Sequence, residues 1–455
     1  MITFNFPEGF LLGTGSSSFQ IEGGAYEGGK SETMWDWGAK HFPDKFKNHQ
    51  FAEPASDFYH HYKQDIADMK ELGLKSFRLS LSWARILPEK DGDVNPEGIA
   101  FYNDVLDRLI DAGIEPFVDL YHWDLPVYMM EIGGFKNREI IPYFEKYAKV
   151  CFENFGSKVK LWSTMNEPSV FCYGPYEGRW PPYEKEKDED FLEVTMDSAH
   201  NAILCHYKAV QLFRKMGLKG KIGAVLGTLP IYPKDPASND KIAAQNQLEF
   251  VNGMWLNPMF KGEYPEHLFS ETCPEYLKLL TKERAEELKR EFAPIDMIGL
   301  NYYQAGQAIY DANSPTKSNH LESYNVQEAE TGERFVAYPQ GLFDMYMYVK
   351  EKYNNPEIYI TENGLGMADN SDVDKIHDTY RINHLREHLR MVVRCIKAGI
   401  NIKGYFYWSH FDSFECHNGY STRFGLNFVD YETGERTKKD SWYYYQKVIK
   451  DNCVD

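Results

Sequence analysis

The chain has no apolar run of the roughly 18 residues that a membrane-crossing helix needs, so no transmembrane span is expected. Residues 1–12 have neither the basic start nor the long apolar core of a secretory signal. Cysteine is sparse: seven in 455 residues, at 151, 172, 205, 273, 395, 416 and 453. The number is odd, the positions are scattered, and there is no Cys-x-x-Cys. No Cys/His cluster has metal-ligand spacing, so neither a disulfide framework nor a metal site is expected. A reducing cytoplasm fits that usage. Positive charge is in deficit, with 50 Lys and Arg against 68 Asp and Glu, a net charge of −18. That balance argues against a nucleic-acid partner or an anionic membrane surface. No internal repeat and no low-complexity tract is present.

Hydrophobic residues make up 43% of the chain and charged residues 26%, the balance of a globular protein. Eight strand-like runs alternate with helical patterns. The runs lie at 10–15, 76–83, 115–124, 161–166, 221–226, 296–303, 358–362 and 402–408. Apolar positions at helical spacing fall at 58–72, 97–112 and 140–155 between them. This alternation predicts an α/β fold, a single (β/α)8 TIM barrel. A doubly wound sheet is the structural rival. Length alone would suggest about three domains, but such barrels run long as one, so 1–455 is expected to be a single domain. Three polar, Gly- and Pro-containing stretches, 30–55, 173–190 and 303–339, read as insertions over the barrel mouth rather than linkers.

Two of the strand ends carry acids. Leu161-Trp162-Ser163-Thr164-Met165-Asn166-Glu167-Pro168 is an apolar run stopped by proline, with Asn166 and Glu167 at its end. Ile358-Tyr359-Ile360-Thr361-Glu362-Asn363-Gly364 ends in a carboxylate, with Asn-Gly to turn the chain. All strand ends of a parallel barrel open onto one face, so Glu167 and Glu362 are expected to meet there. Paired carboxylates suit glycosidic-bond chemistry, one protonating the leaving oxygen and one meeting the oxocarbenium-like centre. A doubly wound sheet would give the two no reason to share a face.

The two motifs together resemble the acid/base and nucleophile signatures of the family-one glycoside hydrolases, the β-glucosidase-like retaining enzymes. The resemblance runs from Phe10 to about Val448, with the principal motifs in family order. It implies a catalytic domain without cofactor or metal. Glu167 would be the general acid/base and Glu362 the nucleophile. Arg78 on the second strand would keep Glu362 charged, Tyr303 would donate to the same carboxylate, and Asn301 would support the site. Asn166 would donate to the sugar 2-hydroxyl. Gln20, in Gln-Ile-Glu-Gly-Gly, and His122, in Tyr-His-Trp-Asp-Leu-Pro, match positions that bind sugar hydroxyls. Trp408 matches the stacking platform under the glycone, while Trp123 and Arg423 are expected to be structural. Aromatics, 15% of the chain, can supply such platforms or simply fill a core.

Glu415 matches the residue that accepts from the 4- and 6-hydroxyls of an unphosphorylated glycone. The phospho-β-glycosidase branch resembles this segment with Ser there, and with Lys and Tyr where this chain has Thr422 and Phe424. The substrate implied is a small β-glycoside or oligosaccharide. Two features keep other readings open. Ser56-Asp57-Phe58-Tyr59-His60-His61-Tyr62 looks like the 6-phospho-β-glycosidase branch. Cys416 stands where the family has Trp, leaving room for His417 or a bulkier sugar. An inactive carbohydrate-binding barrel is the rival outside catalysis.

Overall fold

The computed structural model describes residues 4–175, 178–182, 190–265, 278–314, 317–323, 335–369 and 375–455. Eight parallel strands close on themselves: β1 (Leu11–Gly15), β2 (Ser76–Ser80), β3 (Glu115–Asp119), β4 (Leu161–Asn166), β5 (Lys221–Thr228), β6 (Met297–Tyr302), β7 (Ile358–Asn363) and β8 (Ile402–Trp408). Each pairs with its neighbours in sequence order, and β8 pairs back onto β1 in the register Gly404↔Leu11 to Trp408↔Gly15. The closed barrel removes the doubly wound alternative.

Between the strands run the long helices α1 (Phe58–Leu72), α2 (Pro96–Asp111), α3 (Ile140–Phe155), α4 (Phe191–Lys215), α5 (Lys282–Glu291), α6 (Pro339–Lys352), α7 (Thr379–Lys397) and α8 (Asp440–Asp451). On α3 the buried residues Ile140, Ile141, Phe144, Tyr147, Ala148 and Cys151 recur every three to four positions. That spacing gives one apolar stripe facing the barrel. Phe117, Leu161, Met297, Tyr359 and Phe406, from five different strands, form a separate buried cluster inside the barrel. Phe117 meets Phe406 edge to face at 5.5 Å. The barrel is therefore a packed core, and only its strand-end face is left for a site.

Two expected strands are shorter than their apolar runs. The second stops at Ser80, and Trp83–Ile86 turns into a short helix. The third stops at Asp119, leaving Tyr121, His122 and Trp123 on a loop. The stretch 303–339 is not a plain loop. Gly306–Tyr310 and Ser318–Ser323 pair antiparallel, and Ile231–Pro233 joins them as a third strand. Much of the expected insertion at 173–190 lies outside the described residues. Cys151, Cys172, Cys205, Cys395, Cys416 and Cys453 are free thiols, and Cys273 lies outside the described residues.

Several histidines are buried without charge. His206, on α4, meets Thr164 Oγ1 through Nδ1 at 2.7 Å, and burial holds it down to about 3. On α7, His384 and His388 stack with ring centroids 4.0 Å apart. Burial holds His388 down to about 4 and His384 well below the ordinary histidine range. An unfolded chain protonates these rings near pH 6.5, whereas the folded one keeps His206 and His388 neutral until about pH 4 or below, and His384 is shifted in the same direction. Between those limits the unfolded state binds more protons, so stability falls as pH falls. Asp124 opposes this: burial pushes it up to about 7, so the folded state keeps a proton that the unfolded state releases. Five histidines held down by burial, these three with His122 and His200, outweigh the three aspartates that burial holds up, Asp65, Asp119 and Asp124. The thermal midpoint is therefore expected to be lower at pH 4.5 than at pH 7 in scanning calorimetry, and a higher midpoint at pH 4.5 contradicts the assignment.

Candidate active site

Arg78 stands at the centre of the strand-end face, fully buried. Its Nη1 lies 2.7 Å from Glu362 Oε1, and its Nη2 pairs with Asp119 Oδ2 at 2.6 Å. Nη2 also donates to Asn166 Oδ1 at 2.8 Å. Burial alone would lower the guanidinium, but Asp119 and Glu362 outweigh it, and the net direction is up. Arg78 is thus a fixed cation.

Both acids are held from several strands. Tyr303 donates its hydroxyl to Glu362 Oε2 at 2.8 Å. Burial, then the charge of Glu362, hold that phenol well above its ordinary range, so it stays a donor. Glu167 follows β4 in a left-handed conformation, φ 47° and ψ 63°. A residue with a side chain rarely adopts it, and here it is the joint between β4 and the helix Pro168–Tyr173. Pro168 thus starts a helix as well as ending a strand. Asn301 Nδ2 donates to Glu167 Oε1 at 2.8 Å and to Asn166 Oδ1 at 3.1 Å, while Thr361 Oγ1 fixes Asn301 Oδ1 at 2.7 Å. A continuous chain of hydrogen bonds therefore runs from Glu167 through Asn301, Asn166 and Arg78 to Glu362.

Asn166 Oδ1 is an acceptor twice over, which orients its amide nitrogen toward His122 Nε2 at 3.0 Å. His122 is held well below its ordinary range by burial first and by Arg78 second. It is therefore neutral, and the Asn166 contact makes Nε2 the acceptor and leaves the proton on Nδ1. Asn166 is fully buried and is not among the pocket-lining residues; His122 takes one of its two amide hydrogens and leaves the other to donate.

The pocket holds about 920 Å³ including its open mouth. Gln20, His122, Glu167, Asn301, Tyr303, Glu362, Trp408 and Glu415 all line it. Gln20 Nε2 donates to Glu415 Oε1 at 3.1 Å and to the Phe414 carbonyl at 2.9 Å, joining the first and eighth strand ends. Trp408 lies against His122, ring centroids 5.7 Å apart. Gly364 does more than turn the chain: a Cβ there would sit 1.8 Å from the Trp408 carbonyl oxygen, so only glycine lets this platform approach β7.

The geometry revises some of these expectations and adds to others. Trp123 lines the pocket as well as packing, and its Nε1 donates to the Asn166 carbonyl at 3.0 Å. His417 packs among aromatic rings. Its ring faces Trp35 and Phe46 at 5.6 and 5.3 Å, and neither Cys416 nor His417 is among the pocket-lining residues. The fifth strand runs past its expected end at 226 to Thr228, and brings Gly227, Thr228 and Leu229 to the pocket. Asp119 was not anticipated, because a single acid ending an apolar run has no motif around it. Arg423 is structural as expected, pairing with Asp412 at 2.8 Å.

Among the described residues, no group of three or more His, Cys, Asp or Glu is placed to hold a metal ion, and no helix is long and apolar enough to cross a membrane.

A parallel barrel whose mouth presents two carboxylates, one paired with arginine and tyrosine and one with an amide, defines a glycoside hydrolase. Comparison with known proteins agrees. The glycosyl hydrolase family 1 model matches residues 2–454. The 1,4-β-D-glucan glucohydrolase of Thermotoga neapolitana is 41% identical over 450 residues, 98% of both chains. β-Glucosidase A of Thermotoga maritima is 40% identical over 453 residues, 99% of both. The Thermotoga maritima family 1 glycoside hydrolase complexed with a cyclophellitol analogue transition-state mimic superposes with a TM-score of 0.92, at 38% identity over 100% of both chains. The chain belongs to glycosyl hydrolase family 1.

Gly227 offers a direct test of the geometry. A Cβ there would lie 2.9 Å from Glu167 Oε1 and 3.1 Å from its carboxyl carbon. Gly227→Ala is expected to displace that carboxyl and lower kcat/KM for an aryl β-glucoside by about 10- to 100-fold, the scale of an ångström-sized misplacement. The thermal midpoint should hardly move. Unchanged kinetics in a folded variant would show that Glu167 does not act from this position.

Proposed function

We propose that the protein is a retaining β-glucosidase, acting as one catalytic unit over 1–455 on small neutral β-D-glucosides. The observation that carries this reading is two carboxylates facing one pocket, one of them paired with a buried guanidinium and a phenol. Glu362, bound by Arg78 and Tyr303, is the nucleophile. Glu167, bound by the Asn301 amide, is the general acid and then the base. In the first step Glu362 attacks the anomeric carbon while Glu167 protonates the departing oxygen. In the second, Glu167 takes a proton from water, and that water displaces Glu362 with net retention. Gln20, His122, Trp408 and Glu415 hold the glycone, Asn166 reaches its 2-hydroxyl, and Arg78 and Asn301 support the acids. Free thiols and the absence of an apolar helix long enough to cross a membrane, among the described residues, support a cytoplasmic location. An inactive binding barrel is disfavoured because both acids and their partners line one pocket.

Glu362→Gln is expected to abolish turnover nearly completely. Glu167→Ala should lower it by about 10²- to 10⁴-fold for poor leaving groups, and far less for acidic ones that need no proton. Azide should partly rescue the Glu167 variant and yield a β-glycosyl azide. An α-azide, identified by NMR of the product, would reverse the two roles.

The 6-phospho reading is disfavoured on charge. The described pocket-lining residues include three carboxylates, Glu167, Glu362 and Glu415, and neither lysine nor arginine. Phe424 lines the wall without a hydroxyl, and Thr422 is buried, accepting from Asn418 Nδ2 at 3.2 Å. A carboxylate and a phosphate ~4 Å apart repel by about 1 kcal/mol in water, and by ~4 kcal/mol at an effective dielectric of about 20. Comparing kcat/KM for nitrophenyl β-glucoside and its 6-phosphate should therefore favour the plain sugar by about tenfold or more, equivalent to ~1.4 kcal/mol. A tenfold preference for the phosphate would move the chain to the phospho-glycosidase branch.

A further inference from the structure

The loop after β8, which carries Glu415 and Phe424 to the pocket, is anchored by a cluster of six charges that the chemistry above does not use. Lys439 caps α8 and is fully buried. Its Nζ lies 2.8 Å from Asp369 Oδ2 and 2.9 Å from Asp412 Oδ1. Asp369 belongs to the loop after β7 and Asp412 to the loop after β8, so one ammonium joins two loops of the barrel mouth. Asp412 also accepts from Arg423 Nη1 at 2.8 Å and from the Gly425 amide at 2.9 Å. Arg423 lies over the rings of Phe428 and Tyr431, at 4.2 and 4.7 Å. Arg381, on α7, reaches Asp378 at 2.5 Å and Asp369 at 3.3 Å, and donates to the Arg423 carbonyl at 2.9 Å. Asp378 in turn accepts from the Ser441 amide and hydroxyl at 2.8 and 2.6 Å. The three carboxylates balance the three cations.

Buried ions of this kind resist sliding, because each displacement strands a desolvated charge. The cluster grips the loop at two points close to the pocket residues. Asp412 stands shortly before Glu415 in sequence, and Arg423 immediately before Phe424. Met367 and Arg423 exchange both backbone hydrogen bonds, at 3.0 and 2.8 Å, which ties the same two loops again. Glu415 itself lies in no strand. Its backbone amide bonds within its own loop, to Gly419 O at 2.8 Å.

We propose that Lys439 is a positioning residue for the glycone: by joining Asp369 to Asp412 it sets where Glu415 stands against the 4- and 6-hydroxyls of the sugar. This rests on the reading of Glu415 given above. The clamp touches no substrate, and its effect should appear as glycone selectivity rather than as a general loss of rate.

The measurement is the ratio of kcat/KM for nitrophenyl β-glucoside to that for nitrophenyl β-xyloside, which lacks the hydroxymethyl group. Lys439→Met alone would leave Asp369 and Asp412 buried without their shared cation and is expected to fold poorly. The double variant Lys439→Met/Asp369→Asn removes one charge of each sign and keeps the cluster neutral. Its folding is checked by circular dichroism and its thermal midpoint. In that variant the ratio is expected to fall by tenfold or more, with the xyloside affected much less. Glu415→Ala should reduce the ratio in the same way. If Glu415→Ala reduces the ratio and the folded double variant keeps the wild-type value, or loses both substrates in parallel, the clamp is overturned while the glycone reading stands. If Glu415→Ala leaves the ratio unchanged, the glycone reading falls and the clamp with it.

Discussion

The pairing of one buried guanidinium with two carboxylates is the constraint on which the rest of the site depends. Arg78 lies where water cannot solvate it, and its charge is tolerable only beside Asp119 and Glu362. Asp119 comes from the adjacent β3, but Glu362 comes from β7, so the three charges are together only when the barrel has closed. Once they have met, Glu362 cannot turn away without leaving a buried cation short of its partner. The position of the nucleophile is thus a consequence of barrel closure. Asn166 and Asn301 extend the same constraint to Glu167 through neutral amides, which orient a carboxylate without supplying a full charge.

The packed interior makes this arrangement rigid. Below Arg78 the barrel is filled by Phe117, Leu161, Met297, Tyr359 and Phe406, so no strand end can sink inward. Above it the backbone is brought close by absent side chains. Gly364 admits the Trp408 carbonyl, and Gly227 leaves the space that Glu167 occupies. The left-handed turn at Glu167 is stabilised on both sides, by its own amide on the Val225 carbonyl at 2.8 Å and by the helix it begins. Local conformation and tertiary packing therefore agree on a single placement for each acid.

How much of this could be read from the chain depended on whether a residue announced its own neighbours. Glu167 and Glu362 did, because each ends an apolar run beside an asparagine and a turn former, and two such endings imply a shared face. Arg78 and Asn301 were legible through the family resemblance, and the strand order put both on the same face. Asp119 was not, since its role exists only through Arg78 on the adjacent strand. Gly227 was missed because its function is an empty volume, and the fifth run seemed to end at Leu226. The strand limits at Ser80 and Asp119 were overrun because the apolar residues that follow are buried in loops rather than in the sheet. The ring contacts of His417 were not legible, because its partners, Trp35 and Phe46, come from an insertion whose path no periodicity reveals.

Two buried ion clusters serve the mouth of this barrel, and their charge balance differs. The cluster around Lys439 sums to zero, as suits a joint that must only hold. The set formed by Arg78, Asp119 and Glu362 carries one cation against two anions and stays one negative charge in excess. Burial pushes Asp119 upward, and the guanidinium beside it opposes that push. A neutral sugar entering the pocket does nothing to relieve the excess. Positive charge developing at the anomeric carbon does, since it arises next to Glu362 in a site shielded from water. The relief exists in the transition state and is absent in the ground state, which is the condition for an interaction to raise rate rather than only affinity. A second neutralising cation on Glu362 would remove that difference, and in the described pocket lining none is present.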